Sequence, residues 1–144
     1  GPFVLEYNVR LGDPETQALL PILEGDLLEA VISASEVRYK LGSLRLKENL
    51  YSCCVVIASK GYPEEPERGK AIFGIKEAEE VSLVFLSGVE ERDGKLYTAG
   101  GRVLSVVGLG KSRVEAKSRA YKGVSRISFE GMHYRKDIGF PPTL

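Results

Sequence analysis

Residues 51–59 read Tyr-Ser-Cys-Cys-Val-Val-Ile-Ala-Ser. Their β-branched, aromatic and other apolar side chains favour a β-strand. Three later stretches have the same character, namely residues 71–75, 81–89 and 96–107. A charged connection, residues 76–80, follows the first of these, and an Asp-Gly hairpin signal at residues 92–95 precedes the last. The sequence therefore predicts four strands beyond residue 50.

Helices are predicted before and after these strands. Ser112 and Glu115 form a capping box at the start of residues 112–127. An apolar stripe follows in that segment, made of Val114, Ala120, Tyr121, Val124 and Ile127. Residues 129–144 are rich in glycine and proline and are predicted to be irregular. Strands and helices without regular alternation indicate an α+β fold, with a mostly antiparallel sheet and flanking helices.

The first 49 residues have a different character from the rest. Residues 3–11 alternate, which predicts a strand with Phe3, Leu5, Tyr7, Val9 and Leu11 on its core face. Asp13 is predicted to cap a helix whose first residue is Pro14, and a second helix starts at Asp26. Residues 35–49 form a connection of unassigned structure. We therefore divide the chain into residues 1–49 and 50–144.

The polar face of residues 3–11 carries candidate chemistry. Glu6 and Asn8 lie side by side at two-residue spacing, as two oxygen ligands for a hard cation such as Mg²⁺. Arg10 follows on the same face, where its guanidinium could hold a phosphoryl group. Asp13 could accept hydrogen bonds from an amine. The alternative is the solvated outer face of an edge strand, with Asp13 only a helix cap, and the pattern alone favours that alternative.

Three further polar residues are candidates on local grounds. Arg102 follows Gly100 and Gly101, which permit close backbone approach, so it is either a phosphate-binding residue or a surface arginine at a bulge. Lys60 is better explained as a plain loop lysine. His133 is better explained as a structural histidine than as a general base.

Composition excludes several classes of partner. Twenty basic residues balance twenty acidic ones, which predicts no nucleic-acid or membrane partner. The longest apolar runs are too short to cross a bilayer, and no secretory leader opens the chain. Cys53 and Cys54 are adjacent, point to opposite faces of a strand and are not expected to pair, which indicates a reducing, cytoplasmic location.

Four segments in order resemble one enzyme family. They are residues 5–17 (LEYNVRLGDPETQ), 58–63 (ASKGYP), 98–104 (TAGGRVL) and 127–139 (ISFEGMHYRKDIG). Together they are similar to glycinamide ribonucleotide synthetase, the phosphoribosylamine–glycine ligase of the ATP-grasp group. The resemblance implies that residues 1–49 end an ATP-grasp core and that residues 50–144 form the family's carboxy-terminal domain.

The resemblance also implies a reaction and a set of roles. The family joins glycine to 5-phosphoribosylamine with ATP, through a glycyl phosphate, to give glycinamide ribonucleotide, ADP and phosphate in purine biosynthesis. By position, Glu6 and Asn8 match ligands of Mg²⁺ or Mn²⁺, and Arg10 faces the transferring phosphoryl group. Asp13 lies near the amine substrate, and Gly101 and Arg102 match a binding position for the ribose phosphate.

Parts of the family are not found in this sequence. Nothing resembles the glycine-rich amino-terminal domain or the lysine-bearing strands and loop that close over ATP. We therefore expect the missing amino-terminal part of the ligase as a partner, and no activity from this chain alone. The apolar face of residues 3–11 would then lack its own partners, a condition that favours a homodimer or an exchanged strand.

Two other interpretations stay open at this point. One is a different ATP-grasp ligase or carboxylase, although those relatives lack the Gly-Asp-Pro-Glu-Thr turn at residues 12–16. The other is a non-catalytic binding module that uses the sheet as a platform. Loss of Glu6 or Asn8 would favour the module, and both are present.

Overall fold

The computed structural model describes residues 2–36 and 44–139. Its helices in these ranges are α1 (Glu15–Leu19), α2 (Leu27–Ser35), α3 (Ile75–Glu79) and α4 (Arg113–Val124), and a 3₁₀ turn (Leu20–Ile22) follows α1. Its strands are β1 (Leu23–Gly25), β2 (Leu44–Leu46), β3 (Tyr51–Ala58), β4 (Leu83–Leu86), β5 (Val89–Arg92), β6 (Lys95–Thr98), β7 (Arg102–Gly110) and β8 (His133–Tyr134). The pairings among these strands are antiparallel, and the α+β class is confirmed.

The strand predicted at residues 51–59 forms as β3 inside a four-stranded sheet of order β4-β7-β3-β8. It pairs with β7 along its whole length, and a bulge lies between Ile57 and Ala58. Alternate β3 side chains, those of Cys53, Val55 and Ile57, are buried in one core cluster with Ala116, Ala120 and Val124 of α4. The sheet and this helix therefore form the core.

Helix α4 lies very close to β7, and Gly108 is the reason. A Cβ atom at Gly108 would lie 2.0 Å from the Ala116 carbonyl oxygen and 2.3 Å from the Ala120 nitrogen. Both are backbone atoms, which cannot move aside without shifting the helix. The absence of a side chain at residue 108 therefore sets the distance between helix and sheet.

The capped start of α4 is confirmed. The Ser112 Oγ accepts a hydrogen bond from the Glu115 nitrogen at 3.1 Å, and the Glu115 carboxylate accepts one from the Lys111 nitrogen at 2.8 Å. The prediction that Val114 belongs to the buried stripe is wrong, since Val114 is 76% exposed. It precedes the buried Ala116 by two residues, which is about 200° around a helix.

Two predicted strands are each divided in two. Residues 81–89 become β4 and the start of β5, and residues 96–107 become most of β6 and the start of β7. The breaks lie at Gly88 and Gly100, whose backbones cross so closely that a Cβ at Gly100 would be 3.1 Å from the Gly88 Cα. The chain changes sheets here, and β5 and β6 form a separate hairpin. The Asp93-Gly94 turn is confirmed, with φ of 50° and 72°.

The strand predicted at residues 71–75 is wrong. Ala71 and Phe73 make only isolated bridges, to Tyr97 and Ser128, and Phe73 is 63% exposed. The charged connection predicted at residues 76–80 lies mostly within the short helix α3. A run of two bridges offers too few ladder hydrogen bonds to extend a strand, so the chain turns at Gly74 into the helix.

The strand predicted at residues 3–11 is also wrong. Residues 2–11 contain no helix or strand, and the expected core residues Phe3, Leu5 and Val9 are 91%, 95% and 96% exposed. A strand is stabilised by its neighbours, and no described segment pairs with this one. The alternation therefore has no sheet against which to bury its apolar face.

The helix predictions near the amino terminus are partly correct. The second helix begins next to Asp26, as predicted, and the Asp26 Oδ1 caps it by accepting a hydrogen bond from the Glu29 nitrogen at 2.9 Å. Asp13 does not cap α1, because its Oδ1 accepts from the Gln17 side chain at 2.7 Å and Pro14 occupies the N-cap position without a side-chain cap.

Two predicted irregular segments lie partly outside the described residues. The connection at residues 35–49 includes β2, which pairs with β1, while residues 37–43 lie outside the described ranges. The tail predicted as irregular over 129–144 contains the short strand β8, and residues 140–144 lie outside as well.

Candidate functional site

Arg102 and Asp13 lie 89 positions apart in sequence and are in contact in the structure. The Arg102 Nη1 donates a hydrogen bond to the Asp13 carbonyl oxygen at 2.5 Å and lies 3.4 Å from the Asp13 Oδ2. Arg102 is the first residue of β7, and Asp13 precedes α1. The strand end and the helix start thus bring two predicted site residues together.

Tyr62 completes this cluster from a third segment. Its hydroxyl accepts a hydrogen bond from the Arg102 Nε at 2.8 Å, and the guanidinium carbon lies 6.0 Å from the centre of its ring. The bond to the Tyr62 hydroxyl raises the pKa of Arg102, and the nearby Asp13 carboxylate acts in the same direction. The cation is therefore fixed at this position. We call Asp13, Tyr62 and Arg102 the arginine cluster.

Gly101 allows Tyr62 to approach. A Cβ atom at residue 101 would lie 2.3 Å from the Tyr62 Cδ2, so the ring occupies the space of the missing side chain. The buried Ser59 ties the same loop to β7, since its nitrogen donates to the Gly101 carbonyl and its Oγ to the Gly100 carbonyl, both at 2.9 Å. Gly101 thus acts by admitting the ring beside the arginine.

The arginine cluster borders a cleft of about 310 Å³ on the sheet face opposite α4. Its apolar floor is formed by the β3 side chains of Cys54, Val56 and Ala58. Burial raises the pKa of the Cys54 thiol to about 11, so this floor is uncharged at neutral pH. His133 lies on the wall of the cleft, beside Arg135. An apolar floor with cationic groups at the rim suits a small phosphorylated molecule.

Arg10 shares a second, more open cleft with Asp13. This cleft measures about 560 Å³ and is also lined by Thr16 and Gln17. The Arg10 Nη1 donates to the Leu11 carbonyl oxygen at 3.1 Å, and the side chain is exposed. Asp13 therefore lines this cleft with Arg10 and also contacts Arg102, which lines the first cleft.

Glu6 and Asn8 are in contact, although the strand from which their side-by-side placement was predicted does not form. The Asn8 Nδ2 donates to the Glu6 Oε1 at 3.1 Å, and both residues are exposed. Their carboxylate and amide oxygens are of the kind that Mg²⁺ binds, so the pair fits part of a magnesium site. No group of three or more His, Cys, Asp or Glu able to hold a metal ion occurs among the described residues. The remaining ligands would come from phosphate oxygens and water.

Of the other two polar candidates, Lys60 has an ionic partner, whereas His133 is exposed. Lys60 pairs with Glu67 at 2.9 Å, and Glu67 lies 3.6 Å from Lys70, which pairs with Glu130 at 2.8 Å. His133 lies in β8 opposite Ala58. Lys60 is thus part of an ion-pair network that braces the loop after β3.

Sequence reasoning assigned no role to Tyr62. The residue lay within the Ala-Ser-Lys-Gly-Tyr-Pro segment that carried the family resemblance, but nothing in that pattern shows that it meets Arg102, 40 positions later. Ser59 was missed for the same reason. Only the pairing of β3 with β7 brings the two segments side by side.

Residues 52–141 match the family described as phosphoribosylglycinamide synthetase, C domain. The chain belongs to this family. The resemblance drawn from the four sequence segments is thereby confirmed, and the matched residues include Tyr62, Gly101 and Arg102.

Individual relatives agree with the phosphoribosylglycinamide synthetase assignment. A phosphoribosylamine–glycine ligase from Caldanaerobacter subterraneus subsp. tengcongensis is 49% identical over 139 residues, covering 96% of this chain and 33% of the relative. The bovine (Bos taurus) trifunctional purine biosynthetic protein adenosine-3 is 44% identical over 97% of this chain and 14% of its own length. The chain spans about a third of the curated ligases it matches.

The fold agrees as well. The crystal structure of a phosphoribosylamine–glycine ligase from Thermotoga maritima is similar with a TM-score of 0.79 at 40% identity. The match covers 94% of this chain and 33% of that one. Among the described helices, none combines the length and the apolar character needed to span a membrane.

Proposed function

We propose that this chain is part of a phosphoribosylamine–glycine ligase that acts in purine biosynthesis and supplies its phosphoribosyl-binding wall. The family match and the names of the relatives support the reaction. The observation that carries the proposal is the arginine cluster, in which Arg102 is held by Tyr62 and Asp13 at the rim of a cleft with an apolar floor.

In this proposal Arg102 binds the 5-phosphate of phosphoribosylamine. A guanidinium makes charge-assisted hydrogen bonds to phosphate oxygens, and these are stronger than neutral ones. Its contacts to Tyr62 and Asp13 use Nε and Nη1, so the two N–H groups of Nη2 are offered to the ligand. The sugar ring would lie on Val56 and Ala58, and Gly101 keeps the approach open.

Asp13 and Arg10 act at the other end of the substrate. The Asp13 carboxylate is half-exposed on the second cleft, and there it accepts hydrogen bonds from the amine that attacks glycine. Arg10 faces the phosphoryl group moving from ATP to the glycine carboxylate, and it compensates the charge that develops on that group. This transfer forms glycyl phosphate and releases ADP. The amine then attacks the acyl carbon, loses a proton and expels phosphate, giving glycinamide ribonucleotide.

Glu6 and Asn8 would hold Mg²⁺ or Mn²⁺. The contact of 3.1 Å between the Asn8 Nδ2 and the Glu6 Oε1 supports this role, because it brings the two side chains together. A bound divalent cation would neutralise negative charge on the phosphate oxygens. The chain's own part is to present two oxygen ligands on one extended segment, followed by Arg10 at the same spacing.

We further propose that residues 1–49 belong to the ATP-grasp core and residues 50–144 to the carboxy-terminal domain, a division supported by the family match starting at residue 52. The remaining two thirds of the ligase would supply the adenine site, so the chain alone is inactive. That remainder would cover the exposed apolar side chains of residues 3–11, and without it the same side chains would favour a homodimer. Two free cysteines support a cytoplasmic location.

Titration with ribose 5-phosphate tests the phosphate role. We expect the chain to bind this probe and Arg102→Ala to weaken binding by about 10- to 100-fold, the effect of losing a charged hydrogen bond. Arg92→Ala is the matched control, since Arg92 also lies over a tyrosine ring, at 5.6 Å from Tyr97, but away from the cleft. Equal affinities for the wild type and Arg102→Ala would contradict the proposal.

A further inference from the structure

We propose that Tyr62 is a positioning residue that holds the Arg102 guanidinium in the orientation needed to bind a sugar phosphate. The inference rests on the phosphate-binding role proposed for Arg102. Its basis is the hydrogen bond of 2.8 Å from the Arg102 Nε to the Tyr62 hydroxyl. Tyr62 itself needs no contact with the ligand in this role.

Arg102 needs such a partner because its side chain is 41% exposed. An arginine side chain has many rotamers in water, and each binding event must select one of them. The hydroxyl of Tyr62 holds Nε, and the Asp13 carbonyl holds Nη1. Two anchors on different atoms fix the plane of the guanidinium as well as its position.

Tyr62 is itself held rigidly. Its ring fills the space beside Gly101, and its nitrogen donates to the Ser59 carbonyl at 3.2 Å. The rest of the loop is closed by backbone hydrogen bonds, from Glu65 to the Gly61 carbonyl at 3.0 Å and from Glu67 to the Lys60 carbonyl at 2.8 Å. A positioning residue must itself be held in place, since a mobile tyrosine would not restrict the rotamers of the arginine.

The packing of the Tyr62 ring and the positioning of Arg102 can be separated by removing one heavy atom, the Tyr62 hydroxyl oxygen. Tyr62→Phe keeps the ring against Gly101 and removes only the hydroxyl that accepts from Arg102. The matched control is Tyr97→Phe, because Tyr97 also lies beneath an arginine, Arg92, but outside the cleft. Both variants are compared with the wild type for unfolding midpoint, which we expect to change little.

The first measurement is the affinity for ribose 5-phosphate, with inorganic phosphate in a parallel series. We expect Tyr62→Phe to weaken binding of both probes by about tenfold, as for loss of one hydrogen bond to a charged group. Tyr97→Phe should bind as the wild type does. The second measurement is the side-chain Nε–H signal of Arg102 in isotope-labelled chain without ligand, assigned through its loss in Arg102→Ala. We expect slow exchange with water in the wild type and in Tyr97→Phe, and fast exchange in Tyr62→Phe.

The results separate this inference from the function on which it rests. If Arg102→Ala loses binding while Tyr62→Phe retains wild-type affinity and a protected Nε–H signal, the positioning role is refuted and the phosphate role stands. If Arg102→Ala binds as tightly as the wild type, the phosphate role fails and the inference fails with it. The positioning role is supported if Tyr62→Phe, and not Tyr97→Phe, binds the probes more weakly and has a faster-exchanging Arg102 Nε–H.

Discussion

The segment of residues 2–13 and the paired strands β3 and β7 both carry candidate site residues, under opposite conditions. Leu5 in the first segment is 95% exposed, whereas Leu104 in β7 is fully buried. Among the described residues, the hydrogen bond of Glu6 and Asn8 joins them only to each other, while Arg102 is held by two other segments. The difference shows that candidate site residues can lie on a segment that no described strand or helix holds in place. Of these three candidates, β7 holds only Arg102.

The largest contrast is expected in stability. Leu104→Ala should lower the free energy of unfolding by about 2–5 kcal/mol, because it leaves a cavity in a packed core. Leu5→Ala should change it by less than about 0.5 kcal/mol, since the side chain contributes little to the core. Urea unfolding of both variants measures the contrast. Equal losses would show that the two regions are packed alike.

The reactivity of the Cys54 thiol tests the cleft between β3 and the end of the amino-terminal segment. Cys54 lines the cleft together with Pro14, and burial raises its pKa from 9.0 to about 11. At pH 8 the folded chain should then hold about one hundredth of the thiolate of the unfolded chain. Alkylation of Cys54 in a Cys53→Ala background should be slower than in urea, and it should accelerate as the pH rises. Alkylation as fast as in urea would contradict a buried cleft floor.

Substituting one glycine in each region by alanine compares the stability of the two regions through a smaller expected effect. Gly108→Ala should destabilise the protein by about 1–3 kcal/mol, because the new methyl group meets the backbone of α4. Gly12→Ala brings a Cβ to 2.3 Å from the Glu15 Oε2, the end of a flexible side chain that can turn away. We expect little change there. Thermal unfolding of the two variants measures the difference, and a larger loss at residue 12 would overturn it.

The smallest effect concerns the cap of α4. Ser112→Ala should cost about 1 kcal/mol, since it removes the acceptor for the Glu115 nitrogen. Ser125→Ala at the other end of the helix is the control, because the Ser125 Oγ only donates to the Lys122 carbonyl at 2.9 Å. Chemical denaturation distinguishes the two, and no loss in Ser112→Ala would show that the cap contributes nothing.

The predictions from sequence were reliable where the interacting partner lay in the chain at a recognisable spacing. The strand β3, the capping box of α4 and the Asp93-Gly94 turn depend on local chemistry and were correct. The strand at residues 3–11 was wrong, because alternation specifies a strand only when a neighbour is present. The divided strands at Gly88 and Gly100 depend on two distant backbones crossing, which no local pattern records.

The candidate site shows the same limit. Asp13 and Arg102 were each identified from their own surroundings and from family resemblance, but their contact was not predicted. Tyr62 received no role, since a tyrosine in a loop has no distinguishing pattern. Its importance follows from the register of β3 with β7, which is a property of the folded chain.

ADP release that depends on glycine and phosphoribosylamine tests whether this chain supplies part of the active site of the ligase. The assay compares the chain alone, the chain mixed with a separately produced amino-terminal portion of the ligase, and the intact ligase as a reference. We expect activity in the mixture and none from the chain alone, with loss of the mixture's activity in Glu6→Ala and Arg102→Ala. Turnover by the chain alone, or a mixture indifferent to both substitutions, would contradict the account.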